Sequence, residues 1–564
     1  MTTTRALHTA LDEIAVLLEL RGEDARARAF RAAAHDPPGV TAADIPSEVA
    51  DVVRELELTG GAILLDELRE ETPEGLFEML RLPGLGPARI RRIVTLIGVE
   101  TLPELEAAAR DGRLAALPRF GARTAERILG SIVAYRSAGA PLLLPHAQAE
   151  AARLAEAVAS RPGVRRVEVA GEVRRHLELV HEIVVVASCD GDPVAAAAAL
   201  AHAPEVEEAT GAGTARLTLR FDNGVRAQIH CVRPTEFGVA LVRGTGSAAH
   251  VAALIARAAS VGHTLGDARL VAASGESIPT PDERDLYRAL GVPFVAPELR
   301  ESGDEVGAAA RGTLPELIDV GDLRGVLHCH SSYSDGGASI ADLTAAARAR
   351  GWSYIGVTDH SQSALNAGGL TAQHVARQHD EIDAINAASP DVRVLKGIEA
   401  DILPCGRVDY PVEVLDRFDF VIASIHTRMG MNEAQMTERV LKALDDPHVT
   451  ILGHPTGRLL LTREPFAIDL DAVMEKAGAT GVAVELNADP HRLDLDWRVL
   501  RGARRHGVRV SIGPDAHTLD GLDHAAIGVG MARKGWLEPQ DVLNASPVGD
   551  VLSFAARRRE RAAL

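Results

Sequence analysis

The chain has 564 residues, 46% of them hydrophobic and 25% charged, with a formal net charge of -19. That length predicts three or four domains of ordinary globular composition. The acidic balance excludes broad, non-specific coating of nucleic acid, so any such contact has to use local patches. No run of about twenty apolar residues is present to span a membrane, and "MTTTRALHTALDEIAVLLEL" reads as an acid-bearing helix rather than a secretion signal. Cys189, Cys231, Cys329 and Cys405 lack paired spacing, which suits a reducing cytoplasm. The only lysines are Lys396, Lys442, Lys476 and Lys534, so the first 395 residues offer no lysine amine as a nucleophile.

In chain order, "ALHTALDEIAVLLELRG" and "ARARAFRAAAHD" read as helices. "LRLPGLGPARIRRIVTLIG" (80–98) and "LAALPRFGARTAERILGSI" (114–132) each read as helix, glycine- or proline-rich turn, helix. Gly84 and Gly86 allow a tight turn, the second helix begins near Pro87, and its free N–H groups with Arg89, Arg91 and Arg92 suit a phosphate. The second copy places Arg119 where the first glycine would be, followed by Gly121 and Arg123. This is the helix-hairpin-helix pattern of non-sequence-specific DNA contact.

Residues 141–235 predict an α+β layer: the helix "AQAEAARLAEAVAS", then strands "VRRVEVAGEV", "EIVVVAS", "ARLTLRF" and "VRAQIHCV". Residues 236–315 are mixed, with "TGSAAHVAALIARAASVG" opening a helix. From residue 322 seven short apolar runs recur: "GVLHCH", "YIGVTDH", "VRVLKGIEA", "FDFVIASIH", "VTILGHP", "GVAVEL" and "VRVSIGPDAH". Helical stretches such as "SIADLTAAARARG" and "MTERVLKALDD" separate most of them. The alternation predicts a distorted parallel α/β barrel with its active face at the strand C-termini.

Those strand ends carry His328, His330, Asp335, His360, Glu399, His426, His454, Asp515 and His517. In "HCH" and "DAH" the flanking residues are two apart and share one side of a strand. Six imidazoles and three carboxylates suit zinc or manganese and exceed what one ion needs. Arg428, Arg458 and Arg492 follow strand ends, where guanidinium groups would suit phosphate oxygens.

"HCHSSYSDG", "GVTDHS", "GIEADI", "SIHTR", "GHPTGR" and "SIGPDAH" resemble the motifs of the polymerase-and-histidinol-phosphatase (PHP) domain. The resemblance implies one metal with His328, His330, Glu399 and Asp515, and a second sharing Glu399 with His426 and His454. It implies a third with Asp335, His360 and His517. Glu485 and Asn487 in "ELNADPHRLDL" are implied in a supporting role. Closely spaced divalent ions would deliver hydroxide to phosphorus and stabilise the attacking and leaving oxygens.

The whole order of elements, with "AGEVRR", "FGVAL", "TGSAAH" and "GVPFVAPELRE", resembles the bacterial family X DNA polymerases, in which a polymerase-beta-like core is fused to a PHP domain. The polymerase positions depart from that pattern. The paired aspartates align with Glu182 and Val184, and the third with Gln228. Glu172 stands where the triphosphate turn would have serine, and Arg243-Gly244 replace the aromatic pair that packs on the sugar. Two magnesium ions on a triphosphate need two or three convergent carboxylates, so polymerisation is expected to be absent. The lysine-dependent lyase of some relatives is also expected to be absent, and the usual first hairpin is unrecognisable in "TAADIPSEVADVV".

The expected architecture is multidomain: a lyase-like helical domain (1–65), a helix-hairpin-helix region (66–140), a degenerate palm (141–235), a thumb (236–315) and a seven-stranded PHP barrel (322–564). The expected function is metal-dependent hydrolysis of DNA at 3′ ends, gaps or abasic sites. Glu399, Asp515 and His330 would be catalytic, with Arg428 and Arg458 on phosphate, two or three zinc or manganese ions, and no membrane partner. Gly84, Gly86, Arg89, Arg92, Gly121 and Arg123 would meet DNA. A small-molecule phosphomonoesterase resembling histidinol phosphatase, a residual polymerase resting on Glu182, and a non-catalytic DNA-binding scaffold are the alternatives. Protein partners are left open.

Overall fold

The computed structural model describes residues 4–35, 46–59, 61–70, 72–202, 206–211, 213–365, 367–389 and 391–562. Thr41–Ile45 of the "TAADIPSEVADVV" stretch, Asp36 and Met1–Thr3 lie outside the described residues. The chain packs as two compact units, residues 1–119 with 317–564, and residues 120–316. The division falls inside the expected 66–140 region, because the N-terminal helices pack in one unit with the barrel.

The N-terminal helices are α1 (Thr4–Arg21), α2 (Asp24–His35), α3 (Ser47–Thr59), α4 (Ile63–Glu70), α5 (Glu74–Leu80), α6 (Pro87–Ile97) and α7 (Leu102–Arg110). In α1, Leu11, Ile14, Ala15, Leu17 and Leu18 are buried, the stripe expected of a helix with one apolar face. α6 starts with proline at its first turn after Gly86, and Gly84 has φ +80°. Arg119 adopts φ +68° ahead of α8 (Gly121–Ser137), so the second turn reaches left-handed backbone without a glycine there, at a cost of roughly 1–2 kcal/mol.

In the 120–316 unit a five-stranded sheet is built from β1 (Val164–Ala170), β2 (Ile183–Cys189), β3 (Val206–Thr210), β4 (Arg216–Phe221) and β5 (Arg226–Val232), ordered β1-β2-β5-β4-β3. Only β2 and β5 run parallel. Alternation along β2 serves both faces. Ala187 and Cys189 pack with Val158, Ala197 and Leu200, while Val186 packs with Phe237, Ala240 and Leu241. The predicted strand over "VRRVEVAGEV" stops at Ala170, and Gly171–Arg174 turn into a short helix because Gly171 takes φ +64° against Val184. β3 is an addition to the reading, since "VEEAT" carries little apolar signal. The helix from "TGSAAH" spans Ala248–Ser260, with Ser247 accepting the His250 N–H at its start.

The barrel strands are β6 (Gly325–Val326), β7 (Tyr354–Val357), β8 (Arg393–Lys396), β9 (Glu399–Asp401), β10 (Val421–Ser424), β11 (Val449–Leu452), β12 (Ala483–Asn487) and β13 (Val510–Gly513). They form parallel sheets β6-β7-β8 and β9-β10-β11-β12-β13. Bridges Cys329–Ala516 and His360–Glu399 join the sheets on both sides. The seven predicted runs therefore give eight strands: "VRVLKGIEA" breaks at Gly397, whose missing side chain leaves room for the Phe420 ring. Leu327, Tyr354, Leu395, Phe420, Ile422, Ile451 and Ala483 fill the core. The helices predicted from "SIADLTAAARARG" and "MTERVLKALDD" span Ile340–Ala349 and Glu433–Ala443, each opened by a capping box. Among the described residues no helix is long and apolar enough to cross a membrane.

Candidate metal centre

The C-terminal ends of the barrel strands bring all nine predicted donors together. His328 Nε2 and His330 Nε2 lie 3.4 and 3.1 Å from Asp515 Oδ1, and 3.5 and 3.7 Å from Glu399 Oε2. The other oxygen of that glutamate, Oε1, lies 3.3 Å from His426 Nε2 and 2.9 Å from His454 Nε2. Asp335 Oδ2 lies 3.3 Å from His360 Nε2 and 3.5 Å from His517 Nε2. His360 Nδ1 also lies 3.1 Å from Glu399 Oε2 and His330 Nδ1 3.5 Å from Asp335 Oδ1, so the donors form one continuous cluster in which the implied groupings overlap, and Glu399 faces histidines with both of its oxygens.

His328, His330, Glu399 and His454 are almost wholly buried. His330 stacks on His517 with ring centroids 4.2 Å apart. Burial opposes a charge on His328, but Glu485, Asp515 and Glu399 outweigh it and hold the imidazole well above the usual range. Burial likewise opposes ionisation of Glu399, but His426, His328 and His360 hold its carboxyl well below the ordinary value. Burial, with His517 and His360 beside it, lowers His330.

The residues fit metal ions on an independent observation. His328 Nε2, His330 Nδ1, His360 Nδ1 and His454 Nδ1 are buried without a hydrogen-bond partner, although buried polar atoms are ordinarily paired. Imidazole and carboxylate donors at this density suit divalent ions. The backbone carries strain here too: His454 and Asp515 have φ of +21° and +49°.

A supporting layer orients the donors. His328 Nδ1 meets Glu485 Oε1 at 2.6 Å, and His426 Nδ1 is hydrogen-bonded to Asp401. Each contact turns the opposite ring nitrogen toward the mouth. Glu485 also accepts the His454 N–H at 2.7 Å, and Asn487 Nδ2 donates to Asp515 Oδ2 at 2.9 Å. Buried Asp359 accepts from the Ser331 amide and hydroxyl, Ser334 and Gln378, which fixes the turn bearing Asp335. Asp401 and Asp359 were not singled out from sequence. Asp401 follows Glu399 by two residues on β9, a spacing that puts both on one side and would have marked it.

The arginines divide. Arg458 is buried and donates from Nε to the Arg492 carbonyl, from Nη1 to Asp496 at 2.8 Å, and from Nη2 to the Leu493 carbonyl. These contacts tether the 492–496 segment, in which Arg492 Nε lies 3.6 Å from Asp515 Oδ2. Arg428 pairs with Glu55 at 3.0 Å.

In the 120–316 unit the positions aligned with the polymerase site each have neighbours within that unit. Glu182 Oε2 accepts from Gln228 Nε2 at 2.7 Å, and Gln228 Oε1 lies 3.2 Å from His230 Nε2. Burial raises the Glu182 carboxyl. Val184 sits against Gly171, where an added Cβ would come within 2.8 Å of it. Glu172 accepts the His181 N–H at 2.6 Å. Arg243 pairs with Asp267, and Gly244 faces Val186 and Ala170. Arg174 is committed to Glu283 and Thr245, and Arg175 to Glu301 and the Thr245 carbonyl.

At the hairpins, Gly84, Gly86 and Gly121 are open on the side a Cβ would occupy, and Arg123 is exposed. Arg89 closes its own turn on the Gly84 carbonyl at 2.6 Å, and Arg92 donates to the Pro118 carbonyl at 2.7 Å. Arg91 is bound to the Glu19 carbonyl and Asp24.

Family models match in three places: a SAM-like helix-hairpin-helix tandem over residues 77–131, a DNA polymerase beta thumb over 240–301, and a PHP domain over 327–488. Fold, donor cluster and these matches define the class, a PHP-domain protein joined to polymerase-beta-type elements. The chain is 34% identical over 562 residues, 97% of its own length and 98% of the relative's, to the DNA polymerase/3′-5′ exonuclease PolX of Bacillus subtilis (strain 168). It belongs to this PolX family of bacterial family X polymerases. It is also 27% identical over 233 residues to a probable phosphatase of Syntrophotalea carbinolica (39% of this chain, 90% of the relative). A probable phosphatase of Caldanaerobacter subterraneus is 27% identical over 252 residues, covering 42% of this chain and 94% of the relative.

Proposed function

We propose that the barrel is a divalent-metal-dependent phosphodiesterase that removes nucleotides from DNA 3′ ends, and that gaps or abasic sites are processed at the same mouth. The single observation that carries this reading is Glu399, whose two oxygens face separate donor groups in one buried cluster. Zinc or manganese bound there supplies a hydroxide nucleophile at neutral pH and charge stabilisation on phosphate oxygens. The chain's own part is to hold His328 and His426 by their Nδ1 atoms, keep Asp515 and Glu399 ionised, and exclude bulk water by burial. Arg492, beside Asp515, is the guanidinium placed to meet a phosphate oxygen. The exonuclease named in the Bacillus relative supports DNA as the substrate, and Gly84, Gly86, Arg89, Arg92, Gly121 and Arg123 are the proposed DNA contacts. The free cysteines suit a cytoplasmic location.

Nucleotide addition is absent on this reading. Glu182 is the one carboxylate among the three aligned positions, and its neighbour Gln228 already bonds it. A second reading, phosphate release from a small ester, is favoured by the probable phosphatases, whose matched lengths are about those of a barrel of this kind.

The test is incubation with manganese and recessed-end DNA, abasic DNA, gapped DNA plus nucleoside triphosphates, and histidinol phosphate, with His330→Ala alongside. Primer shortening that the variant loses is the expected result. Primer extension, or phosphate release from the small ester alone, would overturn it.

A further inference from the structure

The loop following His426 is held from two directions. From the barrel side, buried Arg439 donates from Nη1 to the Thr427 carbonyl at 2.8 Å, and its Nε donates to the Ile402 carbonyl behind β9. From the other side, Asp66 of α4 accepts the Met429 N–H through Oδ2 at 3.1 Å. Asp66 is 3% exposed and Met429 8%, so water is poorly placed to replace that bond. The residue between the two anchors, Arg428, stands at φ +60°, a left-handed conformation that a non-glycine residue keeps only where its surroundings impose it. Glu55 of α3 engages its guanidinium. Gly61, between α3 and α4, approaches so closely that an added Cβ would come within 3.3 Å of Gly430 Cα.

We propose that Asp66 is a positioning residue for the metal centre, supplied by the N-terminal helical region. By fixing Met429 it holds the turn three residues beyond His426, and through that turn the approach of His426 to Glu399. The proposal rests on the reading of the barrel as a metal-dependent phosphodiesterase. It adds that the N-terminal helices, which have no lysine nucleophile, serve the hydrolytic site through a defined hydrogen bond.

The experiment compares full-length wild type, Asp66→Ala and Asp66→Asn. Manganese binding is measured by calorimetry, kcat and KM on recessed-end DNA by primer shortening, and folding by thermal unfolding. Asp66→Ala is expected to weaken manganese binding and lower kcat by about tenfold, the low end for residues that orient metal ligands, with KM little changed. Asp66→Asn keeps an oxygen acceptor for the Met429 N–H and is expected to restore both. Manganese affinity and kcat at wild-type level in a folded Asp66→Ala protein would overturn the proposal. Loss in both variants alike would also overturn it, since the acceptor would then not be what matters. Because metal affinity is read without DNA, failure of the DNA-hydrolysis reading stays distinguishable from failure of this one.

Discussion

The chain contains two places where strand ends gather acids and histidines, and they have opposite hydrogen-bond economies. In the 120–316 unit, Glu182, Gln228 and His230 form a chain of mutual contacts, and Glu172 is used by the His181 amide. In the barrel, four buried ring nitrogens of His328, His330, His360 and His454 have no hydrogen-bond partner at all. Buried polar atoms are ordinarily paired, so unmatched donors are where an ion would supply the missing partner, whereas Glu182 already has one.

The comparison breaks most sharply at Glu399. Glu399→Gln removes a charge facing two donor groups and is expected to lower manganese-dependent DNA hydrolysis by more than about 100-fold, beyond the range of a merely orienting residue. Initial rates on recessed-end DNA measure this, and near-wild-type hydrolysis would remove Glu399 from the centre. The supporting layer comes next. Glu485→Gln weakens the hold on His328 Nδ1 and should cost roughly 10–100-fold in metal affinity or rate, with competitive chelator titration as the readout.

Metal removal sharpens the contrast between units. Metal at about 100 times its Kd stabilises a folded state by roughly 2.7 kcal/mol, so chelation should lower the unfolding transition that includes the barrel and leave that of residues 120–316 in place. Scanning calorimetry with and without EDTA separates these transitions, and an equal shift in both would contradict the assignment.

A pH dependence arises from His230 in the 120–316 unit. Burial lowers His230 to about 4, below its unfolded value near 6.5. The unfolded chain then binds the proton more readily, so this contribution is fully present above about pH 6.5 and is lost as pH falls toward 4. Unfolding midpoints of wild type and His230→Gln should converge as pH drops over that window. A constant difference would show that His230 titrates normally.

Much of the barrel was legible because its signals are local. Apolar runs of four or five residues alternate with capped amphipathic helices, and candidate ligands follow strands in "HCH", "TDH" and "DAH". The break at Gly397 was not legible, because it depends on the Phe420 ring, which stands just before β10. The arginines show the same limit. Arg458 and Arg492 each follow a strand in similar wording, yet one is spent on carbonyls and Asp496 while the other stands beside Asp515. β3 was not legible because its alternation is weak, whereas Asp401 carries a local signal, two residues after Glu399 on one strand.

By itself the sequence determined the strand and helix periodicities, the donor set and the loss of carboxylates at Val184 and Gln228. These are properties of residue identity and short-range spacing. Only the tertiary structure decided which oxygen of Glu399 faces which histidines, that Asp401 and Glu485 orient the rings, and that α3 and α4 reach the loop after His426. Those facts join residues such as Asp66 and Met429, 363 positions apart. Barrel closure and the packing of the helical region place such partners together, and spacing along the chain carries no record of it.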